Sequence, residues 1–257
     1  MIANYHAHTW RCNHAQGTEE EYVRQGLARG LEIIGFSDHS PYPFPGGYVS
    51  TFRMGMEQLD DYIQTILDLR ERYAHQAQIP LGLEIEYYPE LLPQLLPVLR
   101  DRPIDYLLLG QHYLDNEMGE HYNGRPTDDV TLLRRYSQQV CRGMEQGIFT
   151  YLAHPDLFYF TGDRQTYCRH MRQICVQSNQ CKMPLELNLL GLAQGRNYPN
   201  MDFWRMAAEE GCTVILGCDA HAPQMLSDQA PEQRALAMVR ELGLKLVDRV
   251  ALRSLRG

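Results

Sequence analysis

The chain has 257 residues, a length that one α/β barrel fills, so residues 1–257 are expected to form a single domain. Its formal net charge of −8 argues against broad nucleic-acid binding, which needs Lys and Arg against phosphates, yet leaves room for a small anion at a local cationic site. Seven cysteines with no C-x-x-C pair exclude a disulfide scaffold or zinc finger and suit reduced thiols; no apolar run is long enough to span a membrane, and MIANYHAH lacks the pattern of a signal peptide, so the cytoplasm is the expected compartment. Nothing in the sequence indicates the oligomeric state.

Short apolar runs alternate with longer amphipathic stretches. Strands are expected at Ile2–Tyr5, Ile33–Phe36, Leu81–Ile85, Tyr106–Gly110, Phe149–Ala153, Leu185–Leu187 and Thr213–Gly217. Between them, Thr18 and Glu21 have capping-box spacing and open a helix to Arg29. Leu59, Ile63, Ile66 and Leu67 share one face of a helix over 56–73. Further helices are expected at 91–100, 128–146, 164–179, 201–210 and 232–242. The segment PYPFPGGYVSTF (41–52) reads as an ordered, turn-rich loop. Strands alternating with helices point to a parallel sheet with helices outside, either open or closed into a barrel.

The polar residues that follow each run decide between these closures. The first run ends in His6 and His8, the second in Asp38 and His39, and the third carries Glu84 and Glu86. The fourth is followed by His112 and the fifth by His154; the sixth carries Glu186 and Asn188, and the seventh leads to Asp219 and His221. Every strand thus delivers a metal-ligating or acid/base residue type at the same end, and a barrel gathers those ends on one face, whereas an open sheet spreads them along a line. His6 and His8 are two apart, so both rings of an extended segment point to the same side; Asp219 and His221 repeat the spacing. Seven of the ten histidines (His6, His8, His14, His39, His112, His154 and His221) lie at or just beyond strand ends; His75, His121 and His170 do not and are expected to be structural. Imidazole with carboxylate suits zinc, iron or manganese.

With these residues in place the chain resembles the PHP (polymerase and histidinol phosphatase) family, and within it the histidinol-phosphatase branch. The segments that carry the resemblance are YHAHTWRCNHA (5–15), FSDHSP (36–41), GLEIEYYP (82–89), LLGQHYL (108–114), LAHPDL (152–157), LELNLLGL (185–192), YPN (198–200) and LGCDAH (216–221). The resemblance implies a distorted (β/α)7 TIM-like barrel, the PHP fold, with three divalent metal ions. His6, His8, Glu84 and Asp219 would hold the first, Glu84 would bridge to a second held by His112 and His154, and His14, His39 and His221 would hold the third. Asp38, Glu186 and Glu86 would support ligands rather than bind metal.

The implied activity is hydrolysis of a phosphomonoester, with L-histidinol phosphate the expected substrate, in a pathway of histidine biosynthesis. A hydroxide shared by two metals would attack, with Glu84 as bridge and Asp219 or His221 as candidates for protonating the leaving group. Two departures bear on the substrate: Phe158 follows HPDL and Ala193 follows the N-x-x-G-L segment, where many phosphatase members carry basic residues. Arg196, Arg53 and Arg11 are the candidates to supply the missing charge. Alternatives are another small phosphate ester or a nucleotide as substrate, or a metal-binding regulatory module without turnover. An amidohydrolase would need a bridging Lys, and Lys182 and Lys245 do not lie at strand C-terminal ends.

Overall fold

The structure is a computed structural model and describes residues 1–119 and 121–255. Nine short strands alternate with eight α-helices among the described residues. The strands are β1 (Ala3–Asn4), β2 (Ile33–Ile34), β3 (Phe36–His39), β4 (Leu81–Ile85), β5 (Tyr106–Leu109), β6 (Tyr151–Leu152), β7 (Leu185–Asn188), β8 (Thr213–Gly217) and β9 (Lys245–Leu246). The helices are α1 (Glu19–Arg29), α2 (Leu59–Arg72), α3 (Leu92–Arg100), α4 (Val130–Glu145), α5 (Arg164–Cys181), α6 (Leu189–Gln194), α7 (Met201–Glu209) and α8 (Ala230–Leu242).

All pairings are parallel, in the order β3-β4-β5-β6-β7-β8-β9, with β1 and β2 as a separate pair. The ladder is not continuous around the ring. Residues 4–8 span the gap between β8 and β3 with a few backbone bonds. Gly35 N donates to Asn4 O (2.7 Å) and Ser37 N to Ala7 O (2.8 Å) on one side. His8 N donates to Ala220 O (2.9 Å) and Ala220 N to His6 O (3.2 Å) on the other. Thus β9 covers the first half of β8 and the N-terminal segment covers its end, which distorts the expected barrel.

Side chains alternate across the strands. Leu107 and Leu109 of β5 join the larger core, which includes the helix residues Leu59, Ile66, Leu95, Val140 and Ile174. Tyr106 and Leu108 point the other way and pack with Ala3, Tyr5, Ile33, Tyr151, Ala153 and Ile215, a second cluster enclosed by the strands. The Tyr106 hydroxyl lies 2.6 Å from Tyr5 O and 3.0 Å from Phe36 O, so a buried phenol joins two neighbouring segments below the rim.

Most helices start within two residues of the expected position, while α2 begins at Leu59 after a 3-10 turn over Met56–Gln58. Thr18 and Glu21 form the expected capping box of α1, and Asp129, Asp163 and Asn200 cap α4, α5 and α7 through their side chains. Helix α6 is an addition to the expected set: Asn188 ends β7 and at once caps α6 by accepting from Gly191 N (3.0 Å). In the run LELNLLGL the one polar residue at the junction, Asn188, reads equally as a strand-end ligand, so the change from strand to helix is not marked. The loop 41–52 is ordered by packing: Tyr42 is buried and its ring lies 5.1 Å from that of Tyr88. No helix among the described residues is long and apolar enough to cross a membrane.

Candidate metal centre

The ends of the strands place their polar residues on one face, as the spacing requires. His39 is the last residue of β3, Glu84 lies in β4 and Glu86 directly follows it. His112, His154, Asp219 and His221 stand within four residues of the ends of β5, β6 and β8. His154 (φ 27°) and Asp219 (φ 49°) have left-handed backbones, which non-glycine residues avoid, so each side chain is aimed by a turn held at a cost of about 1–2 kcal/mol. Both lie just beyond their strands, as the sequence suggests, and converge on the others.

Glu84 is at the centre. It is buried, and its two oxygens face different groups of imidazoles. Oε2 lies 3.1 Å from His39 Nδ1, 3.5 Å from His6 Nε2 and 3.7 Å from His8 Nε2. Oε1 lies 2.8 Å from His154 Nε2 and 3.6 Å from His112 Nε2. Asp219 Oδ1 lies 3.0 Å from His8 Nε2 and 3.5 Å from His6 Nε2. A third set, His14, His39 and His221, converges beside these, with His14 Nε2 and His221 Nε2 2.9 Å apart. His39 stands between this set and Glu84 and belongs geometrically to both.

The opposite nitrogens are fixed by other groups. His6 Nδ1 meets Glu186 Oε1 (2.7 Å), His8 Nδ1 meets Asp38 Oδ1 (3.3 Å) and His112 Nδ1 meets Glu86 Oε1 (2.9 Å). His14 Nδ1 meets Cys12 O (2.7 Å) and His221 Nδ1 meets Asp219 O (3.0 Å). Carboxylate and carbonyl acceptors put the ring proton on Nδ1 and leave the Nε2 lone pair facing the cluster, the arrangement that metal-binding histidines use. Asn188 ties two of the acids together, with Nδ2 2.9 Å from Glu186 Oε2 and 3.1 Å from Asp219 Oδ2.

Several atoms in this cluster have no satisfactory protein partner. Glu84 Oε2 and His39 Nδ1 are buried, face each other, and make no hydrogen bond. Two pairs of ring nitrogens, His6 with His8 and His14 with His221, face each other at 3.2 and 2.9 Å. Converging lone pairs of this kind fit divalent cations. The charges agree. Burial would raise the Glu84 carboxyl, but His112, His6 and His39 hold it well below the usual carboxylate range. Asp219 is likewise held low against burial, by His6, His8 and His221. Burial, reinforced by His8, keeps His39 far below the usual imidazole range and brings His221 down to about 3. Both carboxylates are thus ionised and these two imidazoles neutral, whereas the surrounding carboxylates, chiefly Glu186, Asp219, Asp38 and Glu84, raise His6, His8 and His154 against burial, so those rings hold protons that bound cations would displace.

A cleft of about 350 Å³ opens over the cluster, lined by His14, His39, His112, His154, Asp219 and His221 on one side. Phe52, Tyr113, Tyr122, Leu157, Leu190, Gln194, Arg196 and Tyr198 form the remainder. Of the three candidate arginines, Arg196 alone lines it. Its Nε donates to Gln194 Oε1 (2.9 Å) and its Nη1 to the Tyr198 hydroxyl (2.8 Å), which braces the guanidinium at the cleft wall. Arg11 and Arg53 are corrections. Arg11 is buried outside the cleft among Glu19, Asp61 and Thr65. Arg53 is buried among Glu117, Ser40 O and Glu86. Their charge is spent on protein carboxylates. The sequence reading missed the aromatic wall and Gln194. The Tyr-Pro step at 198–199, here cis, was the available mark for Tyr198.

The chain matches the PHP domain model over residues 4–189. It belongs to the PHP domain family. A probable histidinol-phosphatase of Deinococcus radiodurans is 32% identical over 233 residues, covering 86% of this chain and 87% of that protein. The histidinol-phosphatase of Bacillus subtilis is 29% identical over 129 residues, covering 45% and 48%. Among solved structures, a histidinol phosphate phosphatase from Lactococcus lactis, in complex with zinc, L-histidinol and phosphate, superposes with a TM-score of 0.76 at 19% identity, covering 99% of this chain and 97% of that one. A putative histidinol phosphatase from Listeria monocytogenes gives 0.71 at 19% identity, covering 87% and 96%. These likenesses extend the PHP fold to the whole chain.

Two glycines make room for the buried acids of this PHP domain. A Cβ on Gly110 would lie 2.0 Å from Glu84 Oε1, and one on Gly217 would lie 1.8 Å from Glu186 Oε1. Gly110→Ala should therefore displace the Glu84 carboxylate. The expected outcome is zinc affinity lowered by about tenfold or more with an unchanged far-UV circular dichroism spectrum, measured by titration of metal-stripped protein. Unaltered zinc binding would show that Glu84 does not need its present position.

Proposed function

We propose that this PHP domain is a metal-dependent phosphomonoesterase acting on L-histidinol phosphate, with release of L-histidinol and phosphate. The observation that carries this reading is the division of Glu84: one oxygen serves His6, His8 and His39, the other His112 and His154. A carboxylate placed so fits a bridge between two divalent ions. His6, His8, Glu84 and Asp219 would hold the first, Glu84, His112 and His154 the second, and His14, His39 and His221 the third. Such ions supply a nucleophile at neutral pH and neutralise phosphoryl oxygens. Zinc, iron and manganese all suit this donor set.

The protein's own groups then have separate tasks. Glu186, Asp38 and Glu86 hold the imidazoles in register. Arg196, braced by Gln194 and Tyr198, faces the cleft as a fork for phosphate oxygens. Phe52, Tyr113 and Tyr122 offer apolar faces to the rest of the ester and keep water from it. Glu84, Asp219 and His221 act as ligands. The likeness to histidinol-phosphatases supports the substrate, and seven free cysteines fit the reducing cytoplasm where such a biosynthetic enzyme would work.

One observation favours a different small phosphate ester. Phe158 stands where many phosphatase members have a basic residue, and it is buried against Tyr136, so that position cannot reach the cleft from its present packing. A panel of phosphomonoesters with L-histidinol phosphate among them, assayed on zinc- and manganese-loaded protein, decides by relative kcat/KM. The proposed substrate should lead; another ester ahead of it overturns the assignment.

Glu84→Gln should lower turnover by more than about 100-fold and reduce the metals bound per chain, by elemental analysis. Near-normal turnover would remove the bridge. Arg196→Ala should lower kcat/KM by about 10- to 100-fold, the loss expected for one charged hydrogen-bonding group, and Arg196→Lys should recover part of it. An unchanged kcat/KM would take Arg196 out of phosphate binding.

A further inference from the structure

Arg53 is among the largest fully buried side chains, and it stands outside the cleft. Burying a guanidinium is costly unless it is paired, and here every nitrogen is engaged. Nε donates to Glu117 Oε2 (2.7 Å), Nη1 to Ser40 O (2.8 Å) and Nη2 to Glu86 Oε1 (2.9 Å). The face of the guanidinium lies 4.4 Å from the centre of the Phe52 ring and 5.5 Å from that of Tyr42. The partners come from three different strand ends. Ser40 follows His39, Glu86 is two residues past Glu84, and Glu117 opens a 3-10 turn in the connection after β5 that also carries His112.

The oxygen of Glu86 that accepts from Arg53 is the same one that meets His112 Nδ1, at 2.9 Å. We propose that Arg53 is a positioning residue for metal binding, acting through Glu86 on His112 and fixing that imidazole toward Glu84. Arg53 holds the Glu86 carboxylate on one side, and the carboxylate holds the ring on the other. With Nδ1 so engaged, His112 presents Nε2 toward Glu84 Oε1, 3.6 Å away. Lys cannot reproduce this. A single ammonium lacks the planar fork that reaches Glu86, Glu117 and Ser40 O from fixed directions. The same side chain stacks on Phe52, whose ring lies 5.5 Å from Tyr113, so the aromatic wall of the cleft and the His112 ligand share one support.

This inference rests on the proposed function, in which His112 holds a metal. The test is zinc titration of metal-stripped protein in chelator buffers, with metals per chain counted by elemental analysis and folding followed by circular dichroism. Glu86→Gln keeps the shape of the side chain and should weaken the zinc that His112 helps to hold by about 10- to 100-fold. Arg53→Lys should weaken the same zinc by a smaller factor, and the other zinc ions should be unaffected. His112→Ala removes the ring through which both would act. In that background Glu86→Gln and Arg53→Lys should have no further effect on zinc affinity, a coupling that a merely structural role would not produce. Unchanged zinc affinity in Glu86→Gln, or equal losses with and without His112, overturns the proposal. A native chain that takes up no zinc or manganese sinks the underlying reading and this proposal together, whereas native uptake with unaltered variants sinks the proposal alone.

Discussion

A buried carboxylate surrounded by imidazoles is the constraint around which this PHP domain is built. Glu84 is out of water, and so are Asp38, Glu86, Glu186 and Asp219. Removing such charges from solvent costs several kcal/mol each unless compensating charge is placed against them. Arg53 compensates Glu86, Glu84 and Asp219 face mainly imidazole rings, and Asp38 and Glu186 each meet one imidazole together with hydroxyl, amide or backbone donors. The inner nitrogens and carboxylate oxygens are left to converge on one another. An acidic chain thereby makes a local demand for cations, and this resolves the tension between a net charge of −8 and the handling of an anionic ester.

The barrel serves this demand by geometry. Parallel strands deliver their ends to one rim, and residues separated by more than 200 positions, such as His8 and Asp219, come within 3.0 Å. Where a regular strand would aim a side chain wrongly, the backbone departs from it, as at His154 and Asp219. Where two groups must share a space, the neighbour is glycine, as at Gly110 beside Glu84 and Gly217 beside Glu186. The tyrosine-rich cluster below, from Tyr5 to Tyr151, joins this polar layer to the packed interior through the Tyr151 hydroxyl, 3.3 Å from Glu186 Oε1.

Much of this was legible in the sequence because short apolar runs and their polar termini are local signals. β4 and β8 have the expected bounds, since every residue of each is paired to one or the other neighbouring strand. β1 and β6 are shorter than expected, because pairing reaches only two residues of each apolar run. Helix α6 was hidden because its cap, Asn188, also reads as a strand-end ligand. The seven strand-end histidines converge as expected. The arginines were misjudged for a tertiary reason: the acids that occupy Arg11 and Arg53, among them Asp61 and Glu117, are some 50 and 64 positions away, and no local pattern announces them.

The seam of the barrel is held differently from its core. Between residues 4–8 and the end of β8 the main chain contributes few bonds, at His6, His8 and Ala220, yet His6 and His8 from one side face Asp219 from the other, and His14 faces His221. Ions shared across that line would act as rivets between the opening and closing strands, turning a thin join into a fastened one. Occupancy of the cluster and closure of the cylinder would then be one equilibrium, and loss of metal would loosen the protein first along this line rather than among the helices outside.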